Sequence, residues 1–447
     1  MSTKISTDIA LLSFLALIVA VIIFPILDNR PLSQHELFLL QQINASETAG
    51  NLGEIFRSGN NLFMQAYAHI VMLIEGLIPG IKGAFLLRLP GALAITALTL
   101  CLFRFDGNID RLNASFLASL LFLSSMLIMN LTFQASEITI PASLFILALM
   151  SLYHWLNHPS KRYFWLVVVT AAISTVLIGA TSPIALALMA YVFIIASKRY
   201  SAKSYLTITL ALLLSCAVAF LAIYVLVGDT VIAMNIFDIR QQLAMSPESS
   251  MANVFFEYIV LALFPWSIPL IISIPWLARN PRWIYDKFLN LGLLQRYSII
   301  IFLFSLPFLF FATDLTFILF IASMFFNMPL IGKYVLRQFH HHPNVWKTTG
   351  TIFAAIVALM TIIFIILKSG YTITIGAWSI SMSDGWSGWS IFLTTAILFS
   401  IYTLWRNTRE IKNNNRFMYN IIFMYLIAAI LANGYIIGNI TITATAI

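Results

Sequence analysis

Long apolar runs alternate with short polar connections from one end of this chain to the other. Runs at roughly 9–27, 88–105, 113–131, 138–156, 163–180, 183–197, 204–227, 254–278, 295–312, 315–333, 349–367, 388–405 and 417–437 approach the ~20 residues that a helix needs to cross a bilayer. The pattern predicts an all-α polytopic membrane protein with about thirteen transmembrane helices. One further apolar stretch, from Leu62 to Leu77, is short and carries Gln65, His69 and Glu75. The first run lacks a small-residue cleavage site before the polar segment that follows, so it reads as a retained anchor and not as a signal peptide.

Charge decides how the short stretch is placed. With the N-terminus cytoplasmic and 62–77 not spanning, every Lys and Arg falls on the cytoplasmic side except Arg30, Arg57, Lys82, Arg88, Arg240 and Lys368. If 62–77 spanned, each later loop would invert and the bias would oppose the positive-inside rule. The stretch is therefore expected to lie as an interfacial helix on the external surface. Ser33-Gln34-His35-Glu36 is a capping box, with Ser33 as N-cap and Glu36 three residues on. It opens another helix before LFLL, so the first external loop should hold two juxtamembrane helices. The chain reads as a single transmembrane domain over 1–447, with external loops at 28–87 and 228–253. The C-terminus falls outside, and most of the 17 acids, among them Glu36, Glu54, Glu75, Glu137, Asp229 and Asp314, gather on the external side.

Composition narrows the function. Hydrophobic residues make up 60% of the 447 and charged residues 9%, with a mean hydropathy of +0.92, outside the range of soluble domains. The net charge of +8 is explained by the positive-inside bias, so no nucleic-acid partner is implied. The cytoplasmic loops are too short for a nucleotide-binding module. Neither G-x-x-x-x-G-K-[ST] nor G-x-G-x-x-G occurs, which argues against an ATP-driven pump. No internal symmetry of the transporter kind is visible. Cys101 and Cys216 lie inside apolar runs and read as small core residues. His340 to His342 read as a solvated loop.

The chemistry-bearing residues cluster at the external side. Glu137 sits at the mouth of an apolar helix, where an ionisable group is costly and marks function by default, although a first-turn acid also favours a helix N-terminus. Glu36 is explained by the capping box. His35 is not, and its ordinary pKa suits proton transfer. Arg57 precedes Ser-Gly-Asn60-Asn61, a cationic loop able to hold a phosphate or sugar. Arg88 and Lys82 can snorkel at the interface. Thr181-Ser182-Pro183 reads as a tight external turn. Acids and cations facing one cavity among apolar helices suit a lipid-linked substrate with a phosphate-bearing head.

The order of these motifs resembles the polytopic glycosyltransferases of the C-type fold, in the branch of the protein O-mannosyltransferases and lipid A aminoarabinose transferases. The family's Asp-Glu pair opening a juxtamembrane helix corresponds to His35-Glu36. Its Lys-Pro-Pro-Leu-Tyr-like segment corresponds to Asn60-Asn61-Leu62-Phe63-Met64-Gln65-Ala66-Tyr67. Its Arg-Leu-Pro is intact as Arg88-Leu89-Pro90, its later acid is Glu137, its Thr-Lys-Gly turn is Thr181-Ser182-Pro183, and its Leu-Pro-Trp is Phe264-Pro265-Trp266. The resemblance implies transfer of a sugar from a polyprenyl-phosphate donor to a glycolipid, glycan or protein acceptor on the external face of a bacterial inner membrane. His35, Glu36 and Glu137 would be catalytic, and Arg57, Asn60, Asn61, Arg88, Thr181 and Ser182 would bind substrate or phosphate. A divalent cation is the one cofactor it admits, beside Glu137, and the expected partners are the lipid donor, membrane lipids and a further protein subunit. His35 stands where the family has Asp, and Asn60 and Ser182 where it has Lys. These departures support the alternative of a degenerate, lipid-binding scaffold subunit of an envelope complex.

Overall fold

The computed structural model describes residues 83–105, 112–133, 138–197, 202–227, 292–308, 314–341, 343–375, 378–382, 386–409, 414–431 and 440–444, together with Leu12, Ser13, Leu15, Ala16, Leu27, Glu36, Leu37 and Ile74. Twelve helices and three strands are formed by these residues. They are α1 (Gly83–Phe105), α2 (Leu112–Ser124), α3 (Met126–Phe133), α4 (Thr139–Asn157), α5 (Lys161–Ile178), α6 (Thr181–Ser197) and α7 (Ala202–Val227). After these come α8 (Leu293–Phe308), α9 (Asp314–His341), α10 (Pro343–Lys368), β1 (Ile373–Ile375), β2 (Trp378–Met382), α11 (Gly388–Arg409), α12 (Asn414–Leu431) and β3 (Ile440–Ala444). Six of the helices are long and apolar enough to cross a membrane: Ala84–Arg104, Thr139–Asn157, Lys161–Ile178, Tyr205–Val225, Leu315–Val335 and Gly350–Lys368. The spans expected at 9–27 and 254–278, the interfacial stretch 62–77 and the loop 228–253 lie outside the described residues or almost wholly so.

The chain divides into two compact units built from interleaved segments. One unit holds residues up to Leu37, Pro79–Ala135 and Met328–Ile447. In it α1 packs on α2 and α3, α12 packs against the same pair, and α10 and α11 complete the layer. The expected 113–131 span is two helices, interrupted at Ser125, whose hydroxyl donates to the Phe122 carbonyl at 2.7 Å. Such local back-bonding competes with the helical ladder. Helix α1 begins at Gly83, earlier than the Arg-Leu-Pro signal suggests. Pro90 lies inside the helix, where it cannot donate to the Leu86 carbonyl. Between α1 and α2, Ser119 Oγ donates to the Thr99 carbonyl at 3.2 Å.

This unit also corrects the all-α expectation. The order of its antiparallel sheet is β1-β2-β3. Ile373 pairs with Ile380 and Ile375 with Trp378, while β3 runs from Ala444 opposite Trp378 to Ile440 opposite Met382. The segments Ile-Thr-Ile, Trp-Ser-Ile-Ser-Met and Ile-Thr-Ile-Thr-Ala alternate with period two and are rich in β-branched residues, the signature of strands. They are too short to stand out beside the long apolar runs. Strand β2 rests on α10.

The second unit comprises Phe38–Ile78 and Ser136–Asn327. Its described helices run through α4, α5, α6, α7 and α8 into the first part of α9. The α4–α5 hairpin is closed by Ser160, an extended N-cap whose side chain accepts from the Tyr163 amide, as Ser does at helix starts. His154 stacks on Tyr163 with ring centres 5.4 Å apart. At the other end of α5, Gly179 takes φ 95°, a left-handed conformation that glycine tolerates. Tyr297 of α8 is fully buried and donates to the Leu149 carbonyl of α4 at 2.9 Å, with Phe193 and Phe326 packed edge-on against its ring. Asn327 donates to the Ser298 carbonyl at 3.1 Å. Cys101 and Cys216 are free thiols and only half-buried, less enclosed than the core position expected of them.

Tyr297→Phe removes one buried hydrogen bond and keeps the ring, so it should cost about 1 kcal/mol. Tyr297→Ala also removes the packing and should cost about 3–5 kcal/mol. Thermal unfolding in detergent separates the two, and equal midpoints for both variants would deny the ring its place in this core.

Candidate functional site

Four of the residues picked from the sequence lie among the described positions: Glu36, Arg88, Thr181 and Ser182. His35, Arg57, Asn60, Asn61 and Glu137 lie outside them.

Glu36 and Arg88 meet. Arg88 Nε donates to Glu36 Oε1 at 2.8 Å and Nη2 donates to Oε2 at 2.9 Å, the parallel two-bond geometry that a planar guanidinium makes with a carboxylate. Arg88 Nη1 donates to the Leu27 carbonyl at 2.6 Å. Both side chains are 0% exposed. Arg88 is thus not the snorkelling interfacial cation that its place at a span end allowed. It sits within the second turn of α1, where the early start of that helix carries it inward.

The arrangement follows from simple electrostatics. A lone guanidinium or carboxylate away from water is costly, and a pair becomes tolerable when the geometry is good and the remaining donors are satisfied. The two-bond fork neutralises both charges. The Leu27 carbonyl takes a third donor. Three points far apart in the chain, at Leu27, Glu36 and Arg88, are thereby fixed together. The pair ties Glu36 to α1. The sequence offered Leu27 no role, and its only signal was its place at the end of the first run.

Thr181 and Ser182 do not form the expected tight turn. They are the first residues of α6, and the turn itself lies at Gly179–Ala180, with the Ser182 amide donating to the Gly179 carbonyl at 3.2 Å. Pro183 sits in the first helical turn, where its missing N–H costs nothing. Ser182 is fully buried and its hydroxyl pairs with that of Ser174 at 2.7 Å, which links α5 to α6. Thr181 is buried as well. Ser174, the partner that the sequence did not suggest, is one more hydroxyl in an apolar helix with no motif to mark it. At the start of α4, Thr139 is buried and its hydroxyl has no hydrogen-bond partner among the described residues.

Among the described residues no group of three His, Cys, Asp or Glu side chains is placed to hold a metal ion. A groove of ≈ 380 Å³ lies between α10 and α11, lined by Ile365, Trp386, Ile391, Thr394 and Thr395. It contains none of the candidate residues. Its two threonine hydroxyls are already spent on the Ser390 and Ile391 carbonyls.

The Glu36–Arg88 pair should behave as an anchor. Glu36→Gln or Arg88→Gln alone leaves an uncompensated buried group and should cost about 3–5 kcal/mol, whereas the double variant Glu36→Leu with Arg88→Met should recover most of that loss. Unfolding midpoints of the three proteins in detergent check this. A double variant as unstable as the singles would contradict it.

No family model matches the sequence, and no curated protein sequence matches it either. Solved structures do share its architecture. The crystal structure of ArnT from Cupriavidus metallidurans bound to undecaprenyl phosphate superposes with a TM-score of 0.60 at 13% identity, covering 95% of this chain and 77% of that chain. The apo state of the same protein gives a TM-score of 0.59 at the same identity and coverage. The fold anticipated from the sequence is the one found: this chain shares the fold of the ArnT structures.

Proposed function

We propose that this multi-pass membrane protein is a glycosyltransferase that moves a sugar from a polyprenyl-phosphate donor to an acceptor on the external face of a bacterial inner membrane. The observation that carries the proposal is the architectural match over 95% of the chain to ArnT, a protein crystallised with undecaprenyl phosphate. In this reading a base removes the proton from an acceptor hydroxyl and the oxygen attacks the anomeric carbon. The bond from that carbon to the phosphate oxygen breaks, and polyprenyl phosphate leaves with the electron pair.

The buried pair redistributes the roles expected of the residues. Glu36 is held in a fork by Arg88, so neither is free to act as base or phosphate ligand. They become positioning residues. His35, adjacent to the clamp, takes the role of base. Arg57 takes the departing phosphate with Asn60 and Asn61, and Glu137 orients the acceptor or a divalent cation.

A second reading has a specific observation in its favour. The one described cation and acid of the site neutralise each other out of reach of solvent, and His35, Asn60 and Ser182 replace an Asp and two Lys of the pattern that the sequence resembles. That combination suits a lipid-binding scaffold subunit.

Transfer from radiolabelled undecaprenyl-phosphate sugars by the purified full-length chain distinguishes the two. An enzyme should lose about 10²–10⁴-fold in kcat with His35→Ala while its unfolding midpoint is unchanged. Absence of turnover on every donor, with a stoichiometric co-purifying partner, would establish the scaffold instead.

A further inference from the structure

Helix α5 shows an ordered stripe on its outward face. Lys161 and Arg162 are exposed at its start, followed by Trp165 and Leu166, then Val169 and Ile173. The spacing is that of one helix face. Trp165 is 57% exposed and Val169 50%, whereas Val167 and Ala171 on the opposite side are buried. Along the axis the stripe measures about 18 Å at 1.5 Å per residue, close to half of a roughly 30 Å hydrocarbon core plus the start of its headgroup layer. Read from the helix start, it runs from cations to an interfacial aromatic to aliphatic side chains. Helix α7 packs beside α5 and presents exposed Leu206, Leu210 and Leu213.

The cations are placed against the local field. A helix N-terminus carries partial positive charge and favours acids, yet α5 has none in its first turn. Neither Lys161 nor Arg162 is ion-paired in the described structure. Ser160 caps only the Tyr163 amide. Local positive charge is therefore left for something outside the chain to neutralise, next to an outward apolar surface.

We propose that this stripe is a binding site for an anionic glycerophospholipid in the leaflet that contains Lys161 and Arg162, the cytoplasmic one on the charge balance of the sequence. The two cations hold the headgroup phosphate, Trp165 packs at the glycerol level as interfacial tryptophans do, and Leu166, Val169 and Ile173 lie along one acyl chain. The charge complementarity and the order of chemistry along the helix select a phospholipid over a soluble anion, which needs no apolar track, and over a neutral lipid, which needs no cations. The site is independent of the glycosyl-transfer reading.

The test uses the full-length protein in mixed micelles with equal phosphatidylglycerol and phosphatidylcholine of matched chains, with retained lipids counted by native mass spectrometry. The wild type should retain phosphatidylglycerol preferentially. At roughly fivefold per surface cation, K161Q/R162Q should lower that preference by about 25-fold, and the charge-preserving K161R/R162K should keep it. An unchanged unfolding midpoint shows that the loss is one of binding. The proposal is overturned by equal retention of the two lipids, by an unaltered preference in K161Q/R162Q, by loss in K161R/R162K, or by glycerol phosphate displacing the lipid at equal concentration.

Discussion

A charge removed from water must be surrounded by its own counter-charge and hydrogen bonds, and in this protein that requirement is met at Arg88. The guanidinium spends one edge on both oxygens of Glu36 and its other terminal nitrogen on the Leu27 carbonyl. The three partners come from the end of the first apolar run, the start of the first polar segment and the second turn of α1. Local chain geometry does not bring them together, since Glu36 and Arg88 are 52 positions apart. Burial makes the pair nearly obligatory once formed, because either member alone would be left as an uncompensated charge.

The same constraint governs the neutral polar groups at much lower stakes. Thr96, Thr99, Thr132, Ser143, Thr170 and Thr175 return their hydroxyls to carbonyls four residues earlier, so an apolar helix can carry them without a partner helix. Where a hydroxyl or amide reaches across, as at Ser119, Ser182, Tyr297 and Asn327, it links helices in a solvent that gives apolar surfaces little reason to associate. Tyr297 combines such a bond with edge-on aromatic packing, which is why its ring and its hydroxyl contribute separately.

The outward surfaces follow the complementary rule. Exposed Leu, Ile, Val and Phe side chains crowd α5, α7, α10 and α11, as expected of helices whose solvent is lipid. The exposed cations at the start of α5 belong to this outer surface, whereas Arg88 belongs to the interior. One residue type therefore serves two physical roles, and its position along an apolar run does not tell which.

Hydrophobic periodicity and length determined most of the helices. The described spans start and stop within a few residues of the apolar runs at 138–156, 163–180 and 204–227, because a bilayer-length apolar segment has no other way to satisfy its backbone. The motif order around Arg88-Leu89-Pro90 pointed to the C-type architecture for a comparable reason: polar residues are so rare in this chain that their order is informative. Tertiary structure alone decided the rest. The three strands rest on period-two patterns of three to five residues, which are too short to specify a partner until α10 supplies a surface. Ser182 read as part of a tight turn in the sequence but lies in the first turn of α6 and pairs with Ser174, since Gly179 turns the chain ahead of it. Arg88 and Glu36 could each be picked out as functional, but their pairing depends on a contact between distant segments, and only folding brings those segments within hydrogen-bonding distance.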